Sequence, residues 1–302
     1  MKNKVKFRKS LKKNSILYLF LLPMIIYVFI FNYMPLAGLQ IAFKDFVATK
    51  GIWGSEWVGF KYFRQFFTSP MFWKLLKNTL VISLYQLVFS FPIPIILALI
   101  LNYTPSQRLK KITQTATYAP HFISTVVLVG MMFVFFDPAS GIGTSILKGF
   151  GMNNPQVLTD PAAFPHLYVW SAIWQTTGWS SIIYIAALSG VSPELHEAAI
   201  ADGANKLQVF GRVVLPIVAP GLVAVAIYTF INAWNEFLYS LILMNSSEKM
   251  TVAVALKSLE GQEVLDWGVM MAASAMVVIP SVIFFMLIQK KIAGGLAQGS
   301  IK

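Results

Sequence analysis

The sequence predicts an all-α, polytopic membrane protein with six transmembrane helices and both termini in the cytoplasm. Three observations carry that reading. The 302 residues are 57% hydrophobic and only 12% charged, with a mean hydropathy of +0.66; a soluble domain carries about twice that charged fraction. Six apolar stretches each approach the ~20 residues that cross a hydrocarbon core as a helix. The basic residues collect in alternate connecting segments, as expected of a chain that weaves through a bilayer.

The elements follow in order. A basic segment, 1–15, opens the chain. MKNKVKFRKSLKKN resembles the n-region of a secretory signal, but the apolar run behind it is too long for an h-region. No small-residue cleavage site closes that run, so it reads as an uncleaved anchor. The expected spans are 16–36, 79–101, 116–136, 166–188, 217–243 and 267–288, which form one transmembrane domain over 16–288 with a cytoplasmic tail at 289–302. The outer loop 37–78 interleaves aromatics such as Trp53, Trp57, Phe60 and Phe63 with Lys61, Arg64 and Lys74. That pattern fits a helix lying in the membrane interface, and it is compatible with contact to an extracytoplasmic partner. Pro92 and Pro94 predict a kink in the second span. The loop 137–165, rich in Gly, Pro and Asn, reads as turns and short irregular structure.

Charge sets the orientation. With the N-terminus inside, the cytoplasmic segments hold 15 of the 24 Lys and Arg residues, among them Arg108, Lys110, Lys111, Lys206, Arg212, Lys290 and Lys291. Eight of the 12 acidic residues, including Asp45, Asp137, Asp160 and Asp266, fall on the other side. The net charge of +12 therefore flanks membrane spans, and anionic lipid explains it better than nucleic acid. The chain has no Cys, which excludes disulfides, thiolate metal sites and thiol nucleophiles.

One polar, Ala-rich insert interrupts this plan on the basic side, PELHEAAIADGANKLQVFGRVVLP at 193–216 within a loop at 190–216. Ser192 offers an N-cap and Pro193 a first helical residue, with Glu194 and Glu197 placed where the helix dipole favours anions. Ala198, Ala199 and Ala201 keep the helix thin, and Asp202-Gly203 supplies a bend. A second short helix is expected over 205–215, with Leu207, Phe210 and Val214 at helical spacing and Pro216 ending it. A thin helix of this kind can enter a groove on another protein, or the pair can simply pack on the inner face of the bundle. The spacing leaves both open.

The residues Glu197-Ala198-Ala199, Asp202-Gly203-Ala204 and Leu215-Pro216 resemble the EAA loop of permease subunits of ABC-type importers. The agreement runs across EAAIADGANKLQVFGRVVLPIVAPG, and the wider resemblance covers essentially the whole chain. It implies a type I importer bundle whose loop is a coupling helix docked on an ATP-hydrolysing subunit. Glu197 and Asp202 would anchor it, Ala198 and Ala199 would permit close approach, and Gly203 would make the bend. Within the family, the chain resembles carbohydrate-uptake permeases related to the maltose transporter. AWNEFLYSLILM and the tail KKIAGGLAQGSIK look like one subunit of that transporter; FNYMPLAGLQIAFKDF and TATYAPHFISTVVLVG look like its partner and like permeases for complex oligosaccharides. The implied assembly adds a second permease subunit, two ATP-binding subunits and an extracytoplasmic solute-binding protein in a bacterial plasma membrane. No G-x-x-x-x-G-K-[ST] occurs, so ATP and its Mg²⁺ are expected on the partner chains and no cofactor on this one.

Inside the spans, Glu236 is the one acidic residue, and an ionisable group there marks a functional position. Tyr228, Asn232, Asn235, Glu236 and Tyr239 are expected to share one helix face. They read either as interhelical glue and gating or as direct sugar contacts. Trp170 and Trp174, with Gly178 at the same spacing of four, and Gln175 and Trp179 beside them, read as an interfacial belt or as a surface for sugar rings. His121 is expected to pack or hydrogen-bond rather than bind metal, because no second ligand sits at metal spacing. There is no paired-carboxylate or Ser/His/Asp arrangement for catalysis, so a non-enzymatic subunit is expected over an intramembrane enzyme. A secondary transporter using Glu236 as a proton or cation site, and an ABC permease for a non-sugar solute, are the competing transport readings.

Overall fold

A computed structural model describes residues 14–153, 155–190, 193–243, 250–260 and 266–299. The basic N-terminal residues Lys2 to Lys13, the expected cap Ser192, and Glu248, Glu263 and Lys302 lie outside them. The chain forms two compact units, one from 1–69 and 262–276, the other from 70–261 and 277–302.

In the first unit, α1 (Ser15–Val28) is apolar all round and exposed up to the half-buried Val28, as a lipid-facing helix is. It continues through a wide turn at Phe29–Tyr33 and a tight 3₁₀ stretch at Met34–Phe43. Helix thus extends to Phe43, past the expected end of the span, because Pro35 can be housed in the first turn of the 3₁₀ segment. Two short strands follow, β1 (Lys44–Asp45) and β2 (Glu56–Trp57), paired antiparallel with Lys44 opposite Trp57 around α2 (Gly51–Gly54). Lys44 is buried and donates its Nζ to the Ile52 carbonyl at 2.8 Å. α3 (Lys61–Thr68) is the amphipathic helix expected in this region. Its Tyr62 packs on Ala42 and Ala272 and donates its hydroxyl to Asp45 Oδ1 at 2.7 Å. Burial, then the hydrogen bond and charge of Asp45, pushes the Tyr62 phenol up to about 12. Gly268 makes room for the ring, since a Cβ there would fall 2.3 Å from Tyr62 Cε2.

The second unit is a helical bundle of α4 (Pro70–Ser90), α5 (Pro92–Tyr103), α6 (Gln107–Tyr118), α7 (Thr125–Phe135), α8 (Ile142–Gly149), α9 (Phe164–Ser189), α10 (Pro193–Ala201), α11 (Lys206–Val209), α12 (Leu215–Trp234), α13 (Leu238–Leu243) and α14 (Val252–Glu260). The last helix, α15 (Trp267–Gly299), gives its first turns to the first unit and the rest to this one. It carries helix past 288, so the expected tail is helical through Gly299. One core gathers Ile82, Val129, Tyr168, Val169 and Tyr239; a second gathers Ala98, Tyr184, Val209, Val218 and Leu222. Trp234 is 1% exposed and donates its indole N–H to the Val277 carbonyl at 2.9 Å.

Four described helical runs are long and apolar enough to cross a membrane alone: Ser15–Phe43, Pro70–Tyr103, Gly221–Leu243 and Trp267–Leu287. A bent pair, Gln107–Phe122 with Thr125–Phe135, makes a fifth. At the fourth expected span stands α9, 26 residues long. It is not among the strongly apolar helices, because Gln175, Thr176, Thr177, Ser180 and Ser181 turn its middle polar.

Several expectations are corrected. The second span starts at Pro70 rather than 79, so Phe72 and Trp73 belong to α4 and not to the outer loop. α4 and α5 form one 34-residue run interrupted at Phe91, where Pro92 opens the next helix. The third span is not continuous: it bends by 100° at Ile123–Ser124. Pro120 disrupts its end, and Ser124 starts a new helix by accepting the Val127 N–H at 3.3 Å. The loop after it contains a regular helix, α8, whose Gly143 and Thr144 are buried, with Gly143 against Phe135 and Phe136. Gly143 was a turn signal by composition, but here its lack of a side chain serves packing.

Candidate functional site

The polar insert forms a helical hairpin with a defined stop and start. α10 ends in a Schellman motif: Ala204 N–H bonds to the Ala199 carbonyl at 3.0 Å and Gly203 N–H to the Ile200 carbonyl at 2.9 Å. Gly203 has φ +84°, the left-handed conformation that only glycine adopts at no steric cost. The next helix opens on a reciprocal cap, in which Gln208 N–H bonds to Asn205 Oδ1 and Asn205 N–H to Gln208 Oε1, both at 2.9 Å. That helix does not end at Pro216. It widens into a π turn at Phe210–Val214 and runs on as α12, with Pro216 in the first turn. The wider turn relieves the clash and the missing N–H that proline would impose on a regular helix.

The hairpin has two sides. Ala199 and Ala204 pack against the core of Tyr184, Val209 and Val214. Glu197, Ala198, Asp202, Gly203 and Pro216 are exposed, and Leu195 and Ile200 are each 48% exposed. Leu215, at 37%, is at the margin. One face therefore rests on the bundle and the other is open, so packing and presentation coexist.

A cavity of about 990 Å³ runs along α9 and α12. Its wall extends along α12 from Gly221 to the C-cap Asn235, and along α9 from Tyr168 to Tyr184; at 1.5 Å per residue these span roughly 21 and 24 Å. Tyr228, Asn232, Asn235, Glu236 and Tyr239 all line it, so the structure brings the expected group together. It does so differently from the expected single helix face. α12 stops at Trp234, Asn235 is its C-cap, and α13 starts at Leu238. Glu236 lies in the break and caps α13: its Oε1 accepts the Tyr239 N–H at 2.6 Å, and its Oε2 accepts the Ser240 N–H at 3.1 Å and the Ser240 hydroxyl. The Thr251 hydroxyl binds the Glu236 carbonyl at 3.3 Å from a distant part of the chain. A buried carboxylate is thus held by three donors at a helix N-terminus, where both charge and geometry favour it.

Trp170 and Trp174 are not in this cavity. They line a separate apolar pocket of about 660 Å³ with Met131, Phe135 and His166. Trp170 donates its indole N–H to Tyr85 Oη at 3.0 Å, and Tyr85 Oη lies 2.9 Å from His166 Nδ1. Gly178, on the expected tryptophan stripe, is a packing residue, for a Cβ there would meet the Thr117 carbonyl oxygen at 2.1 Å. The tryptophan of α9 that does reach the large cavity is Trp179, stacked flat on His121 with centroids 4.5 Å apart and planes 4° apart. Gln175, in the same wall, donates to the Ile123 carbonyl left free at the bend, at 2.6 Å.

Sequence reasoning missed several members of the wall, three of them polar and unpaired. Gln86, Ser90 and Tyr184 line the cavity, and Gln86 Oε1, Ser90 Oγ and the Tyr184 hydroxyl have no hydrogen-bond partner among the described residues. A buried polar atom left unpaired costs about 1–3 kcal/mol. The signal in the sequence was a Gln and a Ser four apart, Gln86 and Ser90, in an otherwise apolar span.

A bundle of membrane-spanning length, a cavity running along its helices and an exposed polar hairpin define a polytopic transport subunit. The chain belongs to the family of binding-protein-dependent transport system inner membrane components, whose pattern matches residues 90–297. Protein LplB of Bacillus subtilis is 38% identical over 252 residues, 82% of this chain and 78% of its own. The polygalacturonan/rhamnogalacturonan transport system permease protein YteP of Bacillus subtilis is 42% identical over 218 residues, 72% of this chain and 68% of its own. Among solved structures, a chain of a bacterial alginate ABC transporter, crystallised with an alginate pentasaccharide-bound periplasmic protein, superimposes with a TM-score of 0.80. The two are 32% identical over 92% of this chain and 94% of that one.

Proposed function

We propose that this chain is a permease subunit of an ATP-driven importer that carries a sugar or oligosaccharide across the bacterial plasma membrane. The observation that carries the reading is the hairpin: its turn is capped on both sides, it is seated on the bundle by Ala199 and Ala204, and it is open on the face of Glu197, Ala198 and Asp202. With the basic segments in the cytoplasm, that face points to the side where ATP is available. Glu197 and Asp202 anchor the hairpin on an ATP-binding subunit, Ala198 and Ala199 keep the approach close, and Gly203 with Ala204 fixes the turn. Leu215 and Pro216 lead the motion into α12. Two ATP-binding subunits hold ATP and Mg²⁺, a second permease subunit completes the path, and an extracytoplasmic solute-binding protein delivers the cargo; this chain holds no cofactor. Closure of the ATP-binding subunits moves the hairpin, and α12, continuous with it, shifts the cavity between its two accessible states.

Sugar as cargo is supported by the polysaccharides that the relatives YteP and the alginate transporter are named for, and by the cavity wall, where Trp179 offers a ring face and Asn232 and Asn235 offer amides. Tyr228 and Tyr239 flank them. Glu236 serves as the cap that sets the break rather than as a proton carrier, which removes the main support for a secondary transporter. Glu197→Ala and Gly203→Asp should each reduce uptake and ATPase stimulation while leaving the chain inserted in the membrane. Full transport by both variants would exclude the coupling role.

A further inference from the structure

The large cavity runs past polar groups that the bundle leaves unpaired. Gln86 and Ser90 sit one turn apart on α4, and Tyr184 lines the same cavity from α9; Gln86 is 7% exposed and Tyr184 3%. Native proteins leave few buried polar atoms without partners. Of the seven such side-chain atoms among the described residues, three are Gln86 Oε1, Ser90 Oγ and the Tyr184 hydroxyl, all on this one wall. Tyr184 is also remote from the amides. Tyr184 packs with Val218 and Leu222, beside Gly221, whereas Asn232 and Asn235 lie at the far end of α12.

We propose that Gln86, Ser90 and Tyr184 form a second saccharide subsite, which receives the hydroxyl groups of an uncharged sugar unit after it leaves the Asn232–Asn235 end. The inference rests on the permease reading above. An amide oxygen, an alcohol and a phenol together accept and donate, which matches a sugar hydroxyl. A sugar carboxylate would find no permanent counter-charge: no Lys or Arg is among the described residues of the wall, and its one imidazole, His121, is stacked flat on Trp179. Its one carboxylate, Glu236, is already held by Tyr239 and Ser240. Burying an unpaired charge there is far costlier than burying a hydroxyl that finds partners.

The test uses the complete transporter in proteoliposomes, with saturating binding protein and labelled cellotriose, maltotriose, xylotriose or trigalacturonate as probes. Gln86→Leu, Ser90→Ala and Tyr184→Phe remove Gln86 Oε1, Ser90 Oγ and the Tyr184 hydroxyl, which have no partner among the described residues, so thermal stability should hold or rise. Uptake of the neutral trisaccharide that the wild type carries should fall about 5- to 10-fold per variant, the worth of one hydrogen bond. Neutral uptake within 2-fold of wild type in all three variants overturns the subsite and leaves the permease reading standing. Trigalacturonate uptake with the same sensitivity to the variants overturns the uncharged class. A wild-type complex that carries no saccharide overturns the permease reading, and the subsite with it.

Discussion

Glu236 shows how a residue's chemistry can be legible while its role is not. Its position in a span marked it as unusual, and the structure keeps it in the cavity wall. Its role as a cap could not be read from spacing, because Tyr228 to Tyr239 fits a helix period throughout. The break depends on Thr251, 15 residues beyond Glu236, binding its carbonyl. Gly203 is the opposite case, since a glycine after a short Ala-rich helix announces a left-handed stop from local chemistry alone. Glu236→Ala should leave the Tyr239 and Ser240 N–H groups unpaired and cost about 1–3 kcal/mol. That loss is measurable as a lower melting temperature of the purified protein, with Glu236→Gln intermediate because one acceptor oxygen remains. A Glu236→Ala protein as stable as wild type would exclude the cap.

At the scale of elements, the lengths of the apolar runs were legible and their bends were not. Hydropathy locates 16–36, 217–243 and 267–288 because burial in lipid requires only composition. The 100° bend at Ile123–Ser124 and the turn at 235–237 need partners from elsewhere, Gln175 and Thr251, which no local pattern encodes. The same applies to the tryptophans of α9. A spacing of four puts Trp170, Trp174 and Gly178 on one stripe, but it does not say what that stripe meets. It meets an apolar pocket at one end and the Thr117 carbonyl at the other, while Trp179 turns to the cavity. Gly178→Val would force α9 away from α6 at this contact and should cost about 1–3 kcal/mol as overpacking does. A shortened lifetime in detergent, with loss of cavity function, is the expected outcome; Gly178→Val with wild-type stability would mean that the two helices do not meet there.

At the scale of the whole molecule, the sequence disclosed the kind of machine before it disclosed any site. The EAA pattern and the absent phosphate loop separated motor from path, and the family match over 90–297 places the chain in that class. The polar group of the path was half legible: Asn232, Asn235 and Tyr228 were singled out, whereas Gln86, Ser90 and Tyr184 become visible only when helices distant in sequence enclose one space. The central claim is that the open face of the hairpin engages an ATP-binding subunit. The chain contains no Cys, so Ala198→Cys creates a single reactive thiol on that face without further engineering. A maleimide–benzophenone probe attached there, illuminated in membranes that hold the assembled transporter, should join this chain to a partner whose peptides contain a phosphate-binding loop. The same probe on Asp137→Cys, which the charge distribution predicts to lie on the opposite side of the membrane, should not. Efficient labelling at position 198 with no such product, or equal product from position 137, would contradict the proposed coupling.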